Sequence, residues 1–277
     1  MLRIALVFLL ASLVAGAAFG DAHERMMKAT FKIVGDSKKV EGSEESAAAF
    51  AVALGNGRNG GPSRKIALVT AAHFFDNVEG DRIDLIGRRQ YSGEEYERVT
   101  YPIALRGETD VVVRHPDPNV DAAAILLDWP ARFDVTPLTL EHFATSDTLS
   151  TAFNVGRAVF ALGYPFAIES SEGGFPILRN GYIASYPPPR RGNQRTFLLD
   201  LSMSQGYSGA PVYIPEFRGG KYDYSGPLLL GMIVGQHELT SEFNGPFEHR
   251  TVRYPLNLAI VVHGPALRKL IESLPQP

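Results

Sequence analysis

The chain of 277 residues contains no cysteine. A disulfide framework, thiolate metal sites, a cysteine nucleophile and a lipidated cysteine are all excluded. An excess of either charge is also lacking, with 27 Lys and Arg against 30 Asp and Glu and a formal net charge of −3. Without a basic surplus to neutralise a phosphate backbone, nucleic acid is not an expected partner. There is no Gly-X-Y period to make collagen of the 27 glycines and 19 prolines, and no low-complexity tract or short repeat. What is present is ordinary for a globular protein: a 45% hydrophobic and 21% charged composition, enough for one large domain or two smaller ones.

Residues 1–20 read as a secretory signal peptide. Arg3 supplies the positive start, Ile4 to Val14 the apolar run, and Ala15-Gly16-Ala17 and Ala18-Phe19-Gly20 the small residues that suit a signal peptidase. The uncharged stretch is short for a membrane anchor, and no later segment is apolar enough to span a bilayer. The expectation is an exported chain, periplasmic or secreted, with no stable membrane span after cleavage. A cysteine-free exported protein suits a bacterial periplasm.

Beyond the leader the sequence breaks into short apolar or alternating runs between turn residues. They are Ala48 to Leu54, Lys65 to Thr70, Arg82 to Ile86, Val111 to Arg114, Ala122 to Leu127, Ala158 to Leu162, Thr196 to Leu199 and Leu228 to Val234. Such spacing indicates an all-β sandwich or barrel. Helical periodicity is expected only at the end, where Pro265 opens a segment with Leu267, Leu270, Ile271 and Leu274 on one face. The polar stretch Asp128 to Asn154 could join two β units, expected at 21–140 and 141–277.

Three motifs carry chemistry. Leu68-Val69-Thr70-Ala71-Ala72-His73 sets a histidine after an apolar strand, with small residues leaving room beside its ring. Asn119-Val120-Asp121-Ala122-Ala123-Ala124 places an acid at the start of an apolar run, where burial requires compensating hydrogen bonds or charge. Ser204-Gln205-Gly206-Tyr207-Ser208-Gly209-Ala210-Pro211 surrounds a serine with glycines that let neighbouring N–H groups converge. Each alone has a structural reading: a strand-end histidine, a solvated turn aspartate, a turn. Together, a serine hydroxyl, a base for it and an acid to orient the base form the set that nucleophilic catalysis needs.

In that order the motifs make the chain resemble the trypsin-like (chymotrypsin-fold) serine proteases. The similarity is greatest to the cysteine-free bacterial type that includes the periplasmic high-temperature-requirement proteases and the glutamyl endopeptidases. TAAH, HPDPNVDAAAILL, VGRAVFALGYP, LRNGYIAS, DLSMSQGYSGAP and LLLGMIVG carry it, from about residue 48 to 236. The resemblance implies two packed six-stranded antiparallel β-barrels with the active site between them, here with a short C-terminal helix. It further implies His73 as general base, Asp121 as its orienting acid, Ser208 as nucleophile and the Gly206 and Ser208 backbone amides as oxyanion hole. A peptide or protein substrate is implied, with neither metal nor organic cofactor.

Departures from the family pattern matter too. Tyr207 stands where trypsin has the aspartate that pairs with a new N-terminus, so activation by that ion pair is not expected. Ala210 replaces a commoner glycine. Ser202, by alignment near the base of the side-chain pocket, carries no charge, and with Met203, Val234 and Gln236 it suggests a small or medium uncharged residue before the cut. His237, beside that wall, keeps a glutamyl preference open. The helix after residue 264 leaves no room for a following PDZ domain.

Other patterns fail on context. Gly55-Asn56-Gly57-Arg58-Asn59-Gly60 has GxGxxG spacing but opens no helix, and reads as a hairpin loop. An α/β-hydrolase needs a different residue order and a glycine where Ala210 stands. The competing function is a silent or latent protease-like domain that binds peptide or protein, which gains if the ring of His73 lies out of reach of Ser208 and Asp121.

Overall fold

In the computed structural model the described residues are 22–55, 65–106, 111–189, 194–219, 224–245 and 248–275. The expected leader and most of the Gly55 to Gly60 loop lie outside them. Thirteen strands and four α-helices order these residues.

The first unit is an antiparallel sheet in the order β5-β4-β1-β2-β3-β7-β6. Its strands are β1 (Thr30–Asp36), β2 (Glu44–Ala53), β3 (Lys65–Thr70), β4 (Arg82–Ser92), β5 (Glu95–Ala104), β6 (Val112–Arg114) and β7 (Ala123–Asp128). The second is a closed barrel, β10-β13-β12-β11-β8-β9. It is built from β8 (Ala158–Gly163), β9 (Ile177–Ile183), β10 (Thr196–Asp200), β11 (Pro211–Gly219), β12 (Tyr224–Asn244) and β13 (His249–His263). The expected pair of six-stranded barrels is thus one closed six-stranded barrel and one seven-stranded sheet. The extra strand is β6, a three-residue edge beside β7.

The central strands form where both faces are covered. All of β3 after Lys65 is buried, as are Ala123, Ala124 and Ile125 of β7, which accounts for their nearly continuous apolar runs. One core joins the two units: Phe50, Val69, Ala124 and Phe143 pack in the same cluster as Tyr213, Leu229 and Val262. The terminal helix α4 (Gly264–Ser273) closes this cluster with Leu267, Leu270 and Ile271, and Leu274 follows at its C-cap. Burying each of these side chains is worth about 1.5–3 kcal/mol. Pro265 sits in the first turn as expected. His263 caps that turn, its Nδ1 accepting the Ala266 N–H at 3.1 Å.

Three further helices arise where the sequence offered too few turns to show a period. They are α1 (22–29), α2 (His73–Asn77) and α3 (Ser146–Ala152). Helix α1 buries Ala22, Met26 and Ala29. Its end is tied down by the fully buried Arg88, whose guanidinium donates to Met27 O at 3.0 Å and to Thr30 O. The same guanidinium lies between the rings of Phe31 and Phe175, 4.6 and 4.1 Å from their centres. Among the described residues no helix is long and apolar enough to cross a membrane.

Candidate active site

His73 is the first residue of α2, three positions after β3 ends at Thr70. Asp121 precedes β7 on the neighbouring side of β3. The carboxylate takes two hydrogen bonds from one residue: Oδ1 accepts the His73 backbone N–H at 2.9 Å, and Oδ2 accepts from ring Nδ1 at 2.6 Å. Burial pushes the Asp121 carboxyl up, but the His73 ring and the backbone N–H groups of His73 and Ala72 outweigh it and hold it below the usual carboxylate range. The ionised carboxylate assigns the ring proton to Nδ1 and leaves Nε2 free to accept. Ser208 Oγ stands 3.0 Å from that nitrogen.

The turn before Asp121 is held from both units. His115 Nδ1 accepts the Asp117 N–H at 2.9 Å, so its Nε2 donates to Ala266 O of α4 at 3.1 Å. Asp117 accepts from Arg195 Nε at 2.7 Å, which keeps its carboxyl down at about 2.

Ser208 lies in a turn that only glycine neighbours permit. Gly206 has φ +96° and Gly209 φ +83°. A Cβ on Gly206 would meet Tyr164 O at 1.9 Å, and one on Gly209 would meet Ala48 O at 1.9 Å. The turn is tied to β2 by Ala48 N–H donating to Ser208 O at 2.8 Å, and to β12 by Gly209 N–H donating to Ile233 O at 2.8 Å. Ala210 fits because the chain has left the left-handed region there. Tyr207 fills the barrel core with a fully buried ring, where trypsin would place a carboxylate.

The Gln205–Gly206 peptide is oriented from outside the turn. Gln205 O accepts the Phe166 N–H at 2.8 Å and Gly206 O accepts the Tyr164 N–H at 3.1 Å. Because a trans peptide points its N–H opposite to its C=O, the Gly206 N–H faces away from Phe166. Among the described residues neither it nor the Ser208 N–H donates a hydrogen bond. The donor loop is itself under strain, with φ +50° at Phe166 and +61° at Ala167. Lys32 of β1 holds it, donating to Ala167 O at 3.0 Å and pairing with Glu169, which Arg98 also reaches at 3.2 Å. Lys32 is only 5% exposed, so this pair joins the two units inside the fold.

A cleft of about 660 Å³ opens at His73, Gly206 and Ser208. Sequence reasoning missed its charged walls: Lys39 and Glu44 at the β1–β2 turn, and Glu238 and Arg253 on the β12–β13 hairpin. No local motif announces them, since distant segments meet there. Ser202, Met203, Val234 and Gln236 do not border this cleft. Ser202 is exposed, its carbonyl accepting from Arg179 at 3.3 Å. Met203 and Val234 are half-buried against the core. Gln236 donates to Glu238 at 3.2 Å, and His237 is exposed. Among the described residues no group of three or more metal-binding side chains occurs.

Two antiparallel β units, with His73 and Asp121 on one and Ser208 on the other brought together at their seam, define the chymotrypsin-like fold class. A solved structure described as the HtrA-type protease AlgW with tripeptide shares this fold, with a TM-score of 0.52 and 14% identity over 92% of this chain. The present chain spans 62% of that protein's length. The family model for the trypsin-like peptidase domain matches residues 49–217, and the chain belongs to that family. No curated protein sequence matches the chain.

Proposed function

We propose that the protein is an exported serine endopeptidase working through His73, Asp121 and Ser208. The observation that carries this reading is the continuous chain from Asp121 Oδ2 through the His73 ring to Ser208 Oγ, with links of 2.6 and 3.0 Å. His73 Nε2 takes the Ser208 proton as Oγ attacks the peptide carbonyl. The Gly206 and Ser208 N–H groups receive the developing oxyanion. His73 then returns the proton to the leaving amine, the acyl-enzyme forms, and water repeats the sequence. Asp121 stays ionised, fixes the ring tautomer and stabilises the imidazolium.

The ring of His73 lies within hydrogen-bond reach of both partners, which favours turnover over a silent peptide-binding role. Export rests on the leader pattern of residues 1–20, with mature protein starting near residue 21. The test is digestion of an unfolded protein substrate by the purified mature chain, beside Ser208→Ala and His73→Ala. Cutting by the parent alone is expected. Equal cutting by the variants, or none by any of them, would overturn the assignment.

A further inference from the structure

A second cavity, of about 640 Å³, opens at the seam between the two units and shares no lining residue with the Ser208 cleft. Its volume is that of a small-molecule site. The first unit contributes residues of the turn from His115 to Val120, which leads directly into Asp121. The second contributes Gln194 and Arg195 ahead of β10, and residues around the start of α4 that include His263 and Lys269.

Most polar groups here are already engaged. Asp117 Oδ1 accepts the Asn119 backbone and side-chain N–H groups, both at 3.0 Å, and Oδ2 accepts from Arg195 Nε. His115 bridges the Asp117 N–H and Ala266 O, and His263 bridges the Ala266 N–H and Gln194 O. Neither imidazole has a nitrogen left for a metal. The end of α4 offers no donor at Ala266, whose N–H is capped, or at Pro265, which has none. Two cations remain. Among the described residues Arg195 makes no hydrogen bond with its terminal nitrogens, and Lys269 pairs with no carboxylate. Burial lowers His263, and Lys269 and His115 add to the effect. The cavity thus sets two cations against one engaged carboxylate, in a chain whose net charge is −3. The Ser208 cleft sets two against three. Pro116, Val120, Pro189 and Pro265 give the rest of the wall a largely apolar character.

We propose that this cavity is a second ligand site, taking a small organic carboxylate with an apolar body. The free end of the Arg195 guanidinium matches a carboxylate fork, and Lys269 adds a second charge. The prolines and Val120 cover the apolar body. Because the ligand takes only the terminal nitrogens, the Arg195 bond to Asp117 persists and its guanidinium becomes fixed. Occupancy therefore stiffens the turn that presents Asp121. That turn is closed by Val120 N–H donating to Asp117 O at 3.0 Å and His115 N–H donating to Ala122 O at 2.9 Å, which anchors the chain on both sides of Asp121. The binding is independent of the catalytic reading, and the effect through Asp121 rests on it.

The binding test titrates the Ser208→Ala protein with butyrate, benzoate, butyramide and inorganic phosphate in a calorimeter. Butyrate and benzoate should saturate with Kd on the order of 1 mM, the affinity that so few heavy atoms sustain. Butyramide, without the charge, should bind about ten-fold more weakly or not at all. Arg195→Gln and Lys269→Gln should each weaken butyrate by about ten-fold, the usual worth of a charged hydrogen bond; Lys269 is exposed, so that variant tests the site without touching the Asp117 link. Absence of saturable binding overturns the site, as does butyrate binding that both variants leave intact. Tighter binding of phosphate than of either carboxylate overturns the ligand class. The coupling test follows the rate of fluorophosphonate labelling of the parent. Saturating butyrate should raise it about five-fold, the low end of ordinary coupling, and Lys269→Gln should remove most of the rise. An unchanged rate beside intact butyrate binding overturns the coupling and keeps the site. A parent that binds butyrate and never labels overturns the catalytic reading, and the coupling with it, and keeps the site.

Discussion

At Gly206, as at Gly209, two demands meet that only a glycine satisfies: a φ of +96° and a carbonyl oxygen 1.9 Å from where a Cβ would stand. Gly206→Ala has to move the very peptide whose N–H the proposed mechanism assigns to the oxyanion. The expected outcome is a loss of about 10²–10³ in kcat, as when one oxyanion donor is removed, measured with a peptide ester. Asp121 acts at one remove. Asp121→Asn can no longer accept the Nδ1 proton as a carboxylate, so the wrong tautomer is favoured and kcat should fall by about 10⁴. The two oxygens of Asp121 engage one histidine from both its ring and its backbone. The substitution should therefore also lower the melting temperature. Because the carboxyl is held below the usual range, its stabilising contribution is fully present above the unfolded-state carboxylate pKa. It is lost only as pH falls through the lower folded-state value.

Among the elements, the strained loop after β8 links the turn around Ser208 to the first unit. Phe166 fixes Gln205, Ala167 and Glu169 are fixed by Lys32, and Lys32 belongs to the other unit. Glu169→Gln should lower kcat ten-fold or more while KM changes little, since the loop positions a donor and not the substrate. Glu169→Asp, which keeps the charge, should recover part of the loss, an outcome that general destabilisation does not produce. The three candidate residues His73, Asp121 and Ser208, which the fold brings into contact, stood out in the sequence because each sits inside a local motif with small or apolar neighbours. The loop did not, because Lys32, Glu169 and Gln205 are ordinary residues that only the fold brings together. The strands divide in the same way. β3 and β7 stand out because both faces are covered, whereas β5 and the outer half of β13 face solvent and carry charges that mask their period.

For the whole molecule, the site exists only where the two units meet, and several tertiary contacts hold that seam. Arg88, Lys32, His115 and Arg195 all cross between segments of the first and second units. Acid should loosen the fold partly through its histidines. Burial lowers His23 and His263, and holds His142 at about 4 with help from Arg25. The unfolded chain takes up these protons first, so stability falls as pH drops from about 6.5 towards 4. His263 adds a specific reason, because a protonated ring cannot accept the Ala266 N–H that starts α4. Urea midpoints across that range should decline, and His142→Gln should flatten the decline. The most direct test of the central claim is labelling of the mature protein with a fluorophosphonate, with Ser208→Ala alongside. Labelling of the parent that disappears in the variant is the predicted result. A folded parent that stays unlabelled, or a variant labelled equally, would contradict an activated Ser208.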